Sequence, residues 1–237
     1  HLGAEASASI GIIESTTWLI GSLLSAAATG FSVQVAHFIG ANDLVKARQV
    51  YRHALICGVA FSLLVTLIGV GIHSHLPYWL GGGEDIAPNS SRYFLIYSLV
   101  LPFVFLYHIS EMMLKSAGNM HTPSIMAVLI CLCDVAFNYL FIYIMKMGVV
   151  GAAMGTALAY ISISLPNLYL SAFRNRLLNF RQDRVPFRWV EEYVRHACKI
   201  SIPIAIQNIL MSGAQIVSTM IVAPLGNIAI AAHSFAI

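Results

Sequence analysis

Apolar residues in this chain come in long unbroken runs and do not alternate with polar ones. Residues 15–40 contain no Asp, Glu, Lys or Arg, and neither do residues 54–72 or 93–110. Residues 122–145 contain one acid, Asp134, and residues 147–173 are uncharged. From residue 200 an uncharged run reaches residue 237, interrupted at Pro224-Leu225-Gly226-Asn227. A helix needs about 20 apolar residues to cross the hydrocarbon core, and these runs match that length. They lack the period-two alternation of membrane strands and are too long for them. The pattern predicts an all-α membrane protein, a polytopic helical bundle with six full transmembrane helices plus the start of a seventh.

The polar segments between the runs carry a signal of their own. If the spans alternate, residues 41–53, 115–121 and 174–199 share one side. They hold Lys46, Arg48, Arg52, Lys115, Arg174, Arg176, Arg181, Arg184, Arg188, Arg195 and Lys199, while the other side holds Arg92 and Lys146. Basic residues are retained on the cytoplasmic side, so the first set is assigned there. Within the third segment, Phe187, Val190, Tyr193, Val194 and Ala197 form an apolar stripe flanked by Arg188, Glu191, Glu192, Arg195 and Lys199. This predicts a helix lying in the inner interface, with Trp189 near the headgroups.

Composition agrees with a membrane location. The chain is 58% hydrophobic and 10% charged, with mean hydropathy +0.78, where a soluble domain carries about 25% charge. The net charge of +3 gives no argument for nucleic acid, because the cations sit in loops. Cys57, Cys131, Cys133 and Cys198 read as small packing residues. No HExxH, no GxSxG and no paired His ligands on one helix are present, so no enzyme is expected. The chain begins with His1 and stops inside an apolar run, which reads as a fragment cut at both ends.

An ionisable group inside a span is costly and is a functional candidate by default. Asp134 is the one acid in the middle of a run, 12 residues from Thr122, or roughly 18 Å along a helix. Asn138 is one turn on and shares its face. Thr156 is nine residues from the start of the next run, roughly 13 Å deep, so the three can meet across a short hairpin. A carboxylate, an amide and a hydroxyl are hard oxygen donors suited to Na⁺, or the carboxylate can carry a proton. Packing against a neighbouring helix is the alternative role for Asp134. Further on, Asn208, Ser212, Gln215 and Thr219 form one polar helical stripe, which either lines a substrate cavity or glues helices together by hydrogen bonds. Glu111 and Lys115 read as a local ion pair, Glu14 as a solvated residue at the outer boundary, and His37 and His108 as packing or interface residues. Pro102 and Pro166 should kink their spans.

The two ends of the chain resemble each other: Leu2-Gly3-x-x-Ala6-x-Ala8 reappears as Leu225-Gly226-x-x-Ala229-x-Ala231. The offset equals one block of six spans, and parallel repeats are a transporter signature. Several stretches then resemble the multidrug and toxic compound extrusion (MATE) family. They are residues 2–11, residues 35–43 with Lys46-Ala-Arg48, residues 115–123, residues 147–156, and Pro203-Ile-Ala-Ile-Gln-Asn208 with Leu225-Gly226 and Ala231-Ala232.

The resemblance implies half of a twelve-helix, two-lobe transporter. Residues 1–173 would be the N-terminal lobe (spans two to six, with the end of span one at the start). Residues 174–199 would be the cytoplasmic inter-lobe linker with its interfacial helix, and 200–237 the start of the C-terminal lobe (span seven and the beginning of span eight). It implies secondary active efflux of amphipathic organic cations, driven by Na⁺ or H⁺ entry, with no cofactor. The protein would be multi-pass in the plasma (inner) membrane and a monomer when full length. One branch of the family uses an Asn and an Asp four apart on span five with a Thr on span six. Here Asp134 and Asn138 stand in swapped order, with Thr156. Another branch has a Glu on span seven, where this chain has Met211. A lipid-linked oligosaccharide or peptidoglycan-precursor flippase of the same superfamily is the alternative; it would favour basic residues in the cavity.

Overall fold

A computed structural model describes residues 3–182 and 186–225, together with Ala229 and Ala232. Helix α1 spans Gly3–Gly40 and α2 Leu44–Ile72; a single turn, α3 (Leu76–Trp79), leads into α4 (Ala87–Ser116). Helix α5 (His121–Asn138) is prolonged by a π-helical turn, Tyr139–Ile144, and α6 (Gly148–Tyr169) by another, Leu170–Arg174. A 3₁₀ turn at Phe180–Gln182 lies in the connection to α7 (Glu191–Val222), which closes in a 3₁₀ turn at Ala223–Leu225. Among the described residues there is no strand, and six helices are long and apolar enough to cross a membrane. The expected start of a seventh span, the second copy of the repeat beyond Ala229, and Arg184 lie outside the described residues.

The connections are built from short capping sequences. After α1, Asn42 adopts φ 60°; its N–H bonds Ile39 O and the next N–H, of Asp43, bonds Phe38 O. After α4, Gly118 adopts φ 76°, and the N–H groups of Gly118 and Asn119 bond Lys115 O and Leu114 O. Both are left-handed helix stops that satisfy the last carbonyls. The residue after each stop then starts the next helix: the Asp43 carboxylate accepts from Lys46 N–H, and the Asn119 amide oxygen from Thr122 N–H. Two of the family-like stretches are thus cap–turn–cap units.

Helix α4 is the centre of the bundle, packed by α1, α2 and α6. Pro102 lies inside it and has no N–H for the Ser98 carbonyl. That carbonyl is taken by the Thr66 hydroxyl of α2 at 3.0 Å, since the bilayer interior has no water to bond it. Helix α5 stands at the edge, against α6. Its less exposed positions, 126, 127, 130, 133, 134, 137 and 138, form one stripe of helical period, and Asp134 and Asn138 belong to it.

The segment expected to form a separate interfacial helix does not do so. Residues 186–190 are not helical, and from Glu191 the helix runs without a break into the next span. Glu191 and Glu192 in the first turn suit the positive end of that helix. The predicted stripe is real, but its partner is α1. Gln34 donates to Tyr193 O, and any Cβ on Gly30 would collide with Ala197 O and Ser201. Asn208 donates to Ser22 O, and Ser15 and Thr219 share a hydrogen bond. The periodicity of residues 193–197 is therefore the opening of a long antiparallel seam.

Candidate functional site in the α5–α6 hairpin

Helix α5 carries the acid and α6 runs back beside it after a short turn at Met145–Met147. Asn138 Nδ2 donates to Asp134 Oδ2 at 3.1 Å, the i, i+4 contact the sequence predicts. Asp134 Oδ1 and Asn138 Oδ1 are buried without a hydrogen-bond partner. The close approach depends on Gly155: a Cβ there would strike the Asn138 carboxamide and come within 3.0 Å of its backbone nitrogen.

Thr156 is the next residue on α6, and its side chain lines a narrow gap with Tyr93, Tyr97, Val100, Ala153, Ala157 and Tyr160. The hairpin thus brings Asp134 and Asn138 into contact and packs Gly155 against Asn138, while Thr156 lines the gap toward Tyr93 and Tyr97 of α4. The tyrosines are the part sequence reasoning missed. Tyr93 and Tyr97 share a face at i, i+4, as do Thr156 and Tyr160, and that spacing was the available signal.

The polar stripe of α7 sits in the seam with α1. Asn208 and Thr219 are engaged there as described; Ser212 is buried, and Thr219 also donates to Gln215 O at 3.0 Å. Asn208 and Thr219 thus act as interhelical glue between α7 and α1. Glu111 and Lys115 form the expected local pair at 2.6 Å. Among the described residues, no three His, Cys, Asp or Glu side chains gather to hold a metal ion, and the four cysteines are free.

A family model described as MatE matches residues 1–140, more than half of the chain. The chain belongs to the MatE family. Its members are transporters and not enzymes. "Multidrug export protein MepA" of Staphylococcus saprophyticus is 24% identical over 204 residues, covering 86% of this chain and 45% of that protein. The Staphylococcus aureus MepA gives the same figures. An inward-facing MATE family transporter of the MOP superfamily superposes with a TM-score of 0.89 at 21% identity, over 98% of this chain and 53% of that one. A MOP superfamily transporter from Pyrococcus furiosus gives a TM-score of 0.82 at 22% identity, over 90% and 47%. These neighbours are twelve-helix MATE transporters, and this MatE chain spans about half their length. It is a multi-pass protein of the cell membrane.

Proposed function

We propose that this chain is the ion-coupling lobe of a multidrug efflux antiporter, and that Asp134 with Asn138 binds the coupling cation, Na⁺ or H⁺. The observation that carries the reading is the pair of buried, unpartnered oxygens, Asp134 Oδ1 and Asn138 Oδ1. A carboxylate oxygen shielded from water with nothing to accept is expensive. A cation or a proton relieves that expense, so the lobe prefers to be loaded. Asp134 supplies the charge, Asn138 orients it through the 3.1 Å hydrogen bond, and Thr156, the residue after the Gly155 that packs on Asn138, is the hydroxyl we assign to the site. The MepA relatives, named as multidrug export proteins, support small-molecule export by the full-length protein. Amphipathic organic cations are the load that fits spans poor in positive charge, and the full-length transporter works as a monomer. Cation entry then biases one arrangement of the two lobes over the other.

The test uses the full-length protein in proteoliposomes with ethidium as the load. Asp134→Asn should insert normally and lose ethidium export driven by an inward Na⁺ or pH gradient. A variant that remains gradient-coupled sinks the reading.

A further inference from the structure

Among the described residues, His53 is the one fully buried histidine, and it sits at the basic end of α2, beside Arg52. Both of its ring nitrogens are committed. Nδ1 lies 2.7 Å from Gln49 O, one turn back on the same helix. A carbonyl oxygen only accepts, so Nδ1 carries the hydrogen. Nε2 lies 2.9 Å from the backbone nitrogen of Val190, whose N–H donates to it. A backbone N–H only donates, so Nε2 is bare. The two partners together define a neutral ring and select its tautomer.

The bond to Val190 joins distant parts of the chain. Residues 186–190 are not helical and lead from the connection after α6 into α7, and Val190 is extended just before the first helical turn. Among the described residues, this is the one hydrogen bond between that stretch and α2. Rings from the same stretch close over the imidazole. Phe187 lies at 4.9 Å and Trp189 at 5.0 Å, both tilted, and Tyr193 of α7 meets it edge-on at 5.4 Å. Tyr193 is thus the titratable group that faces His53 from α7. The charged neighbours are Arg188, between the two rings of the stretch, and Arg52 on α2; both are positive. Among the described residues, no carboxylate pairs with His53.

We propose that His53 is a proton-operated latch on the α6–α7 connection, closed while the ring is neutral and opened when it takes a second proton. That proton goes to Nε2 and sets a donor against the Val190 N–H. The aromatic faces attract a cation, but they supply no acceptor for the new N–H. Val190 cannot turn aside without moving Trp189 and Phe187, which lie on the same short stretch. A buried charge with no anion to pair with is costly, so the ring and the stretch part and the imidazolium reaches water. The docked state binds one proton fewer than the open one, so docking is favoured at high pH and weakens as pH falls. Once the open state holds its proton, each further pH unit weakens docking about tenfold. The latch does not involve Asp134 and stands or falls apart from the coupling site.

The experiment is hydrogen–deuterium exchange of the full-length protein in nanodiscs between pH 8 and pH 5, the span in which histidine changes charge. It reads the peptide covering residues 186–193, as protection relative to the unstructured rate at the same pH. Wild type should lose protection toward pH 5, approaching tenfold per unit. A peptide from the buried part of α4 should not follow. His53→Gln keeps an acceptor within reach of the Val190 N–H and does not titrate, so its protection should be high and independent of pH. His53→Phe keeps a ring and removes the acceptor, and should show at pH 8 the low protection that wild type reaches at pH 5. Equal wild-type protection at both ends of the range overturns the latch. So does a His53→Gln protein as pH-dependent as wild type, which would place the proton elsewhere. Should His53→Gln fail to fold, the wild-type profile still decides: loss shared by the α4 peptide is general unfolding and overturns the proposal, and loss confined to residues 186–193 supports it.

Discussion

Asp43 shows how far single side chains at helix ends shape this protein. Its carboxylate caps α2 through Lys46 N–H at 3.1 Å and pairs with Lys46 Nζ at 2.9 Å. The Lys46 side chain first, and then its backbone N–H, hold the Asp43 carboxyl below the ordinary aspartate range. A lowered value in the fold means the contribution is present above the ordinary aspartate pKa of about 3.9 and is lost as pH falls through and below it. Asp43→Ala should therefore destabilise the protein by about 1 kcal/mol, the worth of an N-cap, and by the same amount at pH 5 and pH 8. Thermal unfolding in detergent at the two pH values checks this; a deficit that appears only at one of them contradicts the capping role. At this scale the sequence was readable where partners are one turn apart, as with Glu111 and Lys115 or Asp134 and Asn138. It was silent where a partner comes from another helix. Thr66 reaching the carbonyl freed by Pro102, and the Tyr97 hydroxyl reaching Thr17 O, depend on how α2 and α1 dock on α4.

Helices were legible as runs, but their ends were not. Charge marked the predicted span limits, and charge does not stop a helix: α2 begins at Leu44 and carries Lys46, Arg48 and Arg52 in its first turns, ten residues ahead of the apolar run. The same reasoning made a separate element of residues 187–199, although their stripe continues along α7. Docking of helices depends on small residues that a hydropathy pattern registers only as apolar. Gly155 is the sharpest case, because α5 and α6 approach each other at the candidate site itself. Gly155→Val should force Asn138 off α6, with an overpacking penalty of about 1–3 kcal/mol, and should weaken cation dependence in the same assay that tests Asp134→Asn. Asn138→Ala should reproduce the weakened dependence without the loss of stability. If Gly155→Val lowers stability while cation dependence stays at the wild-type level, the hairpin does not set the geometry of the site.

For the molecule as a whole, the connection between α6 and α7, which is rich in basic residues, is strapped back to the start of α2. Arg48 donates from Nε to Leu177 O at 2.9 Å and from Nη2 to Gln182 Oε1 at 3.0 Å. The Arg52 guanidinium lies over the Phe180 ring. His53 Nε2 accepts from Val190 N–H at 2.9 Å, among the rings of Phe187, Trp189 and Tyr193. No sequence pattern announces this, because the partners lie more than a hundred residues apart and include backbone groups, which every residue carries. The strap ties residues 177–182 and 187–190 to the start of α2. Arg48→Met keeps much of the side-chain bulk and removes both hydrogen bonds. Charge-assisted bonds are worth about 1.5–3 kcal/mol each. Losing even part of that should raise the open population, and with it tryptic cleavage at the exposed Arg176 and Arg181, about tenfold when opening is faster than cutting. The measurement is limited proteolysis of the full-length protein in vesicles with the basic face outward, and cleavage no faster than wild type would show that the strap is not what holds the connection down.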